Sequence, residues 1–158
     1  MARLHPASVN SLRIFTYYNG REASVVLAWL KAGRGGSIVD NGSAGGMLAA
    51  VDIDTGIVIS DARDEDNRTY PVHPDTGAVF KGMQLEDWEE VTAMAKELAA
   101  IVPEVRLVGW DIALSRDHGW QLIEGNRLGM FNLLQVPTQK GMRKDFEKRI
   151  GWKKKPEL

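Results

Sequence analysis

Residues 109–126 read GWDIALSRDHGWQLIEGN. Two stretches of alternating apolar and polar residues flank a polar turn, the pattern of a β-hairpin. With the turn centred between Asp117 and His118, Asp111 falls opposite Glu124. Asn126, two residues further on, points to the same face as Glu124. Opposed carboxylates repel one another across strands, so positive charge is expected between them. Asp111, Glu124 and Asn126 are three hard oxygen donors. That set suits Mg²⁺, which takes one or two protein carboxylates and completes its shell with water and phosphate oxygens. Ile112, Leu114, Leu122 and Ile123 can anchor the strands, and Gly125 leaves room for a closely approaching group. An acidic surface hairpin fits the same residues, because a one-residue slip in register would part the carboxylates.

A second candidate lies upstream. Residues 32–46, AGRGGSIVDNGSAGG, form a long glycine-rich stretch. It lacks the spacing of a P-loop, but it offers many backbone N–H groups that can wrap an anion. Arg34 and Asn41 lie within it, and Arg13, on the preceding strand, can present a planar fork to a phosphate. A surface loop without a ligand is the competing reading.

The elements that would position these residues follow from periodicity. Residues 11–18 and 22–31 read as strands joined at Asn19-Gly20, a strong hairpin signal. Residues 47–53 and 57–60 read as two more strands about Asp54-Thr55-Gly56, and 61–77 as a polar surface excursion. Leu85, Trp88, Val91, Ala95, Leu98 and Val102 recur at helical spacing over 85–102. The acidic residues at the start of that segment suit the helix dipole, and Pro103 closes it. The hairpin strands are expected at about 105–115 and 119–125. A last helix is expected over about 138–150, capped by Thr138 and Gly151, with a frayed tail at 152–158. The order predicts a single α+β domain over residues 1–158, with its core at about 5–135. Its architecture is a mostly antiparallel sheet with helices packed on one face.

Bulk composition narrows the function. The chain has 158 residues, a net charge of −1 and no cysteine. Disulfides and thiolate metal sites are excluded, and charge alone points to neither nucleic acid nor a membrane surface. No run approaches the length of a membrane span and no signal pattern opens the chain, which predicts a cytoplasmic protein. His5 and His73 each precede proline and read as turn-shaping residues, and His118 as a solvated hairpin tip. There is no serine-hydrolase elbow. Trp110 should face away from Asp111.

Several motifs together resemble a known family. VNSLRIFTY (9–17), GRGGSIVDNGSAGGM (33–47), GWDIA (109–113) and LIEGN (122–126), with HP at residues 5–6 and HPDTG at 73–77, occur in the order of the C-terminal part of an ATP-grasp domain. The nearest resemblance is to the sugar-transfer-associated ATP-grasp family of bacterial surface-polysaccharide gene clusters, over residues 5–130. The resemblance implies that Asp111, Glu124 and Asn126 hold Mg²⁺ on the phosphates of ATP. It also implies that Arg13, Arg34 and Asn41 contact phosphates and an acyl-phosphate intermediate, with Lys31, Gly45 and Gly46 contributing to nucleotide binding. The implied reaction is ATP-dependent ligation of a small-molecule carboxylate to an amine or similar nucleophile. In such enzymes an earlier lobe carries phosphate-binding lysines and the adenine-holding strand. Only ten residues precede Ser11, so the chain is expected to be the metal-binding half: a fragment, a truncated product or one part of a split enzyme. Exposed apolar residues at Trp29, Met47 and Met130-Phe131 would then invite a partner chain or self-association. The alternative is a non-catalytic half-domain that acts only in protein–protein association.

Overall fold

In the computed structural model, residues 4–38, 40, 45–127, 135–141 and 143–151 are described. Seven strands form one antiparallel sheet: β1 (Ser11–Tyr18), β2 (Ala23–Ala32), β3 (Met47–Val51), β4 (Ala62–Arg63), β5 (Thr69–Tyr70), β6 (Leu107–Ser115) and β7 (Gly119–Asn126). They lie in the order β5-β4-β3-β2-β1-β6-β7. Two helices complete the described chain, α1 (Trp88–Ile101) between β5 and β6 and α2 (Arg143–Arg149) near the end. This is the α+β architecture that the sequence predicts.

Alternation along the central strands sorts side chains onto two faces. One face carries Leu12, Ile14, Ala28, Leu30, Trp110 and Ile112, which pack with Trp88, Val91, Ala95 and Ala99 of α1 into the main core. The opposite face is divided. One end holds a smaller apolar cluster of Phe15, Val26, Leu27, Trp29 and Ala50, with Ile150, just past α2, packed against it. The other end is polar and carries Ser11, Arg13, Lys31 and Asp111. Trp29 and Met47 are buried, so neither is the exposed apolar residue expected of a half-module: Trp29 meets Phe15 edge-on and Met47 joins the main core. Met130 and Phe131 lie outside the described residues, as does the tail at 152–158.

Other boundaries shift for local reasons. α1 starts at Trp88 rather than at residue 85 because Asp87 takes a left-handed conformation, φ 49°, and the Leu85 N–H is donated to Gly56 O. Residues 57–60 make single bridges rather than a strand. The excursion at 61–77 is not merely surface: it supplies β4 and β5 and buries Asp64 and His73. Thr138 sits in a turn, five residues before α2. Gly151 follows α2 with φ 65°, as a helix-ending glycine should.

Gly56 is required twice over. Its φ is 73°, and a Cβ added there would lie 2.4 Å from Trp88 Cγ. Left-handed strain and overpacking act together at this point. Gly56→Ala should lower unfolding free energy by about 2–4 kcal/mol, read as a fall in the urea midpoint at unchanged m-value.

Candidate metal and phosphate site

The hairpin places Asp111 opposite Glu124, but not by the route that simple counting suggests. The turn has three residues, Arg116 to His118, and Ser115 pairs with Gly119, Ala113 with Gln121 and Ile112 with Leu122. Continued without interruption, that register would pair Asp111 with Ile123. A β-bulge absorbs Ile123, and the pairing resumes with Asp111 and Glu124, Trp110 and Gly125, Gly109 and Asn126. Bulges re-aim side chains next to functional sites. Here the bulge turns Glu124 and Asn126 onto the face of Asp111. Gly125 does leave room for a close group, and that group is the Trp110 ring, 2.6 Å from where a Cβ would stand. Trp110 faces away from Asp111, as expected, and donates its indole N–H to Thr16 Oγ1 at 2.8 Å.

Positive charge stands beside both carboxylates. Arg13 lies directly across from Asp111 on β1 and grips it with both arms of the guanidinium: Nε donates to Oδ1 and Nη2 to Oδ2 at 2.6 Å. The same Nη2 lies 3.9 Å from Glu124 Oε1. Lys31 Nζ reaches Asp111 Oδ2 at 3.1 Å and Asp40 Oδ1 at 3.3 Å. Ser11 Oγ donates to Asp40 Oδ2, and Asn126 Nδ2 donates to Glu124 Oε1 at 3.0 Å. A continuous polar network thus runs from Ser11 through Asp40, Lys31, Asp111 and Arg13 to Glu124 and Asn126. Gly109 helps aim it, because a Cβ there would lie 3.1 Å from Arg13 Cδ.

Burial pushes the Asp111 carboxyl up. The Arg13 hydrogen bond and the charges of Lys31 and Arg13 outweigh it, so the group is held below the usual carboxylate range. Asp111 is therefore an anion at neutral pH, as a metal ligand must be.

Arg34 stands in a different cluster. Its Nη1 donates to the Tyr70 hydroxyl, Nη2 donates to Asp64 Oδ2 at 3.0 Å, and its guanidinium lies over the Tyr70 ring. Tyr70 also donates to Asp64 Oδ2 at 2.9 Å. Gly45 closes against this group, since a Cβ there would lie 3.5 Å from Arg34 Nε. Gly46 is buried just ahead of β3, and Asn41 lies outside the described residues. The start of the glycine-rich stretch is pinned as well. His73 Nε2 donates to Gly33 O at 2.7 Å, His5 Nε2 donates to Gly35 O at 3.0 Å, and the two rings stack. Asp40, Asp64, Tyr70 and this histidine pair escape a reading of sequence alone, because each also depends on a contact 29 to 40 residues away: Asp40 on Ser11, Asp64 and Tyr70 on Arg34, and the histidines on Gly33 and Gly35.

Comparison with known proteins decides the family. A family model described as sugar-transfer associated ATP-grasp matches residues 1–150. The chain belongs to that family. No curated protein and no solved structure matches it. ATP-grasp proteins bind ATP and typically use Mg²⁺. Among the described residues, no group of three or more histidine, cysteine, aspartate or glutamate side chains gathers to hold a metal. The hairpin set is instead two carboxylates and an amide. Its chemistry nevertheless fits Mg²⁺, which is content with one or two carboxylates. Three N–H donors occupy Asp111, and a carboxylate has about four acceptor positions, so one remains on Oδ1. Among the described residues, no helix is long and apolar enough to cross a membrane.

Asp111→Asn would remove the counter-charge shared by two largely buried cations. It should cost about 3 kcal/mol of stability at pH 7, read by chemical denaturation. The native carboxyl is held below its ordinary value near 3.9, so its stabilisation is complete above that pH and is lost as pH falls through the native value. The wild-type chain should lose stability on acidification below about pH 4 more steeply than the Asp111→Asn variant does.

Proposed function

We propose that this ATP-grasp chain works as an Mg²⁺-dependent ligase module in the bacterial cytoplasm, in the synthesis of cell-surface polysaccharide. The reaction joins a small-molecule carboxylate to an amine or similar nucleophile through an acyl phosphate. The observation that carries this reading is the Asp111–Glu124 pair, turned onto one face of the sheet and flanked there by Arg13 and Lys31.

Asp111, Glu124 and Asn126 would hold the metal, with Asn126 fixing the orientation of Glu124 through their hydrogen bond. When bound, Mg²⁺ neutralises charge on the phosphoryl group and aligns it for transfer. Arg13 presents a fork suited to phosphate oxygens. Lys31, buried beside Asp40, adds a fixed positive charge. Arg34 and Gly45 belong to the glycine-rich stretch, where Arg34 shapes the backbone through Asp64 and Tyr70. Asn41 and Gly46 complete the set proposed to meet the nucleotide and the intermediate.

A second reading, association without catalysis, draws on β7. This strand ends the sheet and exposes Leu122 and Ile123, and such an edge invites pairing with another chain. If association is the function, sedimentation should show a concentration-dependent oligomer that Ile123→Lys dissolves, with no response to nucleotide.

The ligase reading is tested by thermal melts with a non-hydrolysable ATP analogue. Stabilisation should require analogue and Mg²⁺ together, reaching about 2.7 kcal/mol at a hundred times the dissociation constant. It should vanish in Glu124→Gln, whose side chain is exposed enough for the fold to tolerate the change. Equal stabilisation of that variant would overturn the assignment of the hairpin carboxylates.

A further inference from the structure

Arg13 sits between the two carboxylates that a divalent cation would need and holds most of the acceptor positions of Asp111 that face it. One guanidinium spans the pair, with Nη2 at 2.6 Å from Asp111 Oδ2 and 3.9 Å from Glu124 Oε1. Lys31, the other cation at Asp111, has a second carboxylate in Asp40. Arg13 has less reserve: among the described residues its ion pairs are with Asp111 and Glu124, and Asp40 acts on it only from farther away. A dication drawn to those two groups therefore removes the partners of a guanidinium that is only 17% exposed. A cation left so poorly solvated and unpaired is costly. An oxyanion arriving with the metal removes the cost, because a phosphate matches the arginine fork.

We propose that Arg13 competes with divalent metal for Asp111 and Glu124, and that a phosphate group relieves the competition by taking the guanidinium. This inference rests on the hairpin being the metal site. It adds that metal and phosphate bind in a coupled manner, with Arg13 as the coupling residue. The coupling must be reciprocal: phosphate tightens metal binding by the factor by which metal tightens phosphate binding. The hairpin would then select a metal–phosphate complex over free metal.

The test uses the full chain and Mn²⁺ alone, with binding followed by loss of the free-ion paramagnetic resonance signal. Arg13→Gln should bind Mn²⁺ more tightly than wild type, by about fivefold or more. Inorganic phosphate should tighten Mn²⁺ binding to wild type and leave Arg13→Gln unchanged. Adding Glu124→Gln to that variant should abolish the gain. Unchanged or weaker binding by Arg13→Gln overturns the proposal. So does an equal response of both proteins to phosphate, or a gain that survives loss of Glu124, since the ion would then sit elsewhere. Should Arg13→Gln fail to fold, Arg13→Lys decides, because it keeps the charge and loses the fork. It should bind Mn²⁺ more tightly than wild type and respond less to phosphate, and no tightening overturns the proposal. Nucleotide melts separate this inference from the ligase reading. Mg²⁺-dependent stabilisation without tightening in Arg13→Gln rejects the competition alone. Tightening without any nucleotide stabilisation rejects the nucleotide reading and leaves the competition standing.

Discussion

A carboxylate buried in the middle of a sheet cannot stand alone, and the polar half of this fold is arranged around that constraint. Asp111 is 3% exposed and lies on the second strand from the edge. An unpaired anion there would take up a proton or unfold its surroundings. Two neighbouring strands answer with one cation each: β1 supplies Arg13 directly across, and β2 supplies Lys31 from one strand further. Lys31 is shared with Asp40, so the requirement passes on to the glycine-rich stretch. Three carboxylates and two cations result, and the negative excess falls at Glu124, where the network meets solvent.

The balance depends on one extra residue. Had β7 continued in the register of its turn, Ile123 would face Arg13's side of the sheet and Glu124 would point toward the side of α1. The bulge at Ile123 instead sets Glu124 opposite Asp111, on Arg13's side. It also bends and twists an edge strand, which blunts the strand as a template for uncontrolled pairing. The same insertion thus sets the carboxylate pair on one face and the shape of the edge. Leu122 and Ile123 are exposed on this strand.

The pairing of Asp111 with Glu124 was legible in the sequence through a compensation of two features. A three-residue turn and a one-residue bulge together give the register that a two-residue turn without a bulge would give. Alternation in the hairpin and helical spacing around Val91 and Ala95 were strong signals because each reflects a single buried face. The identity of the positive charge was not legible. Arg13 and Asp111 lie 98 residues apart, and only the antiparallel pairing of β1 with β6 brings them together. Asp64 failed to stand out for a related reason: within DARDEDNR it is one acidic residue among several, and its burial depends on Arg34 and Tyr70 closing over it. Trp29 and Met47 were misread because apolar residues on a strand do not disclose whether the face they lie on is covered.

Glycine content in the 33–46 stretch invites a purely ligand-based explanation, and the contacts at its described ends require a more divided one. Gly33 and Gly35 present carbonyls to His73 and His5, and Gly35 also donates its N–H to Asp75 at 2.6 Å. Gly45 is held against the Arg34 guanidinium with φ 82°, a conformation that side chains rarely adopt. These glycines fasten the segment to three separate places: the N-terminal turn, the 73–77 turn and the β4–β5 hairpin. Asp40 fastens it again, to Ser11 and Lys31. The described parts of the stretch are thus held both by backbone groups and by buried charges. The anchoring explains why so polar a stretch surrounds its few charged side chains with buried partners instead of leaving them to solvent.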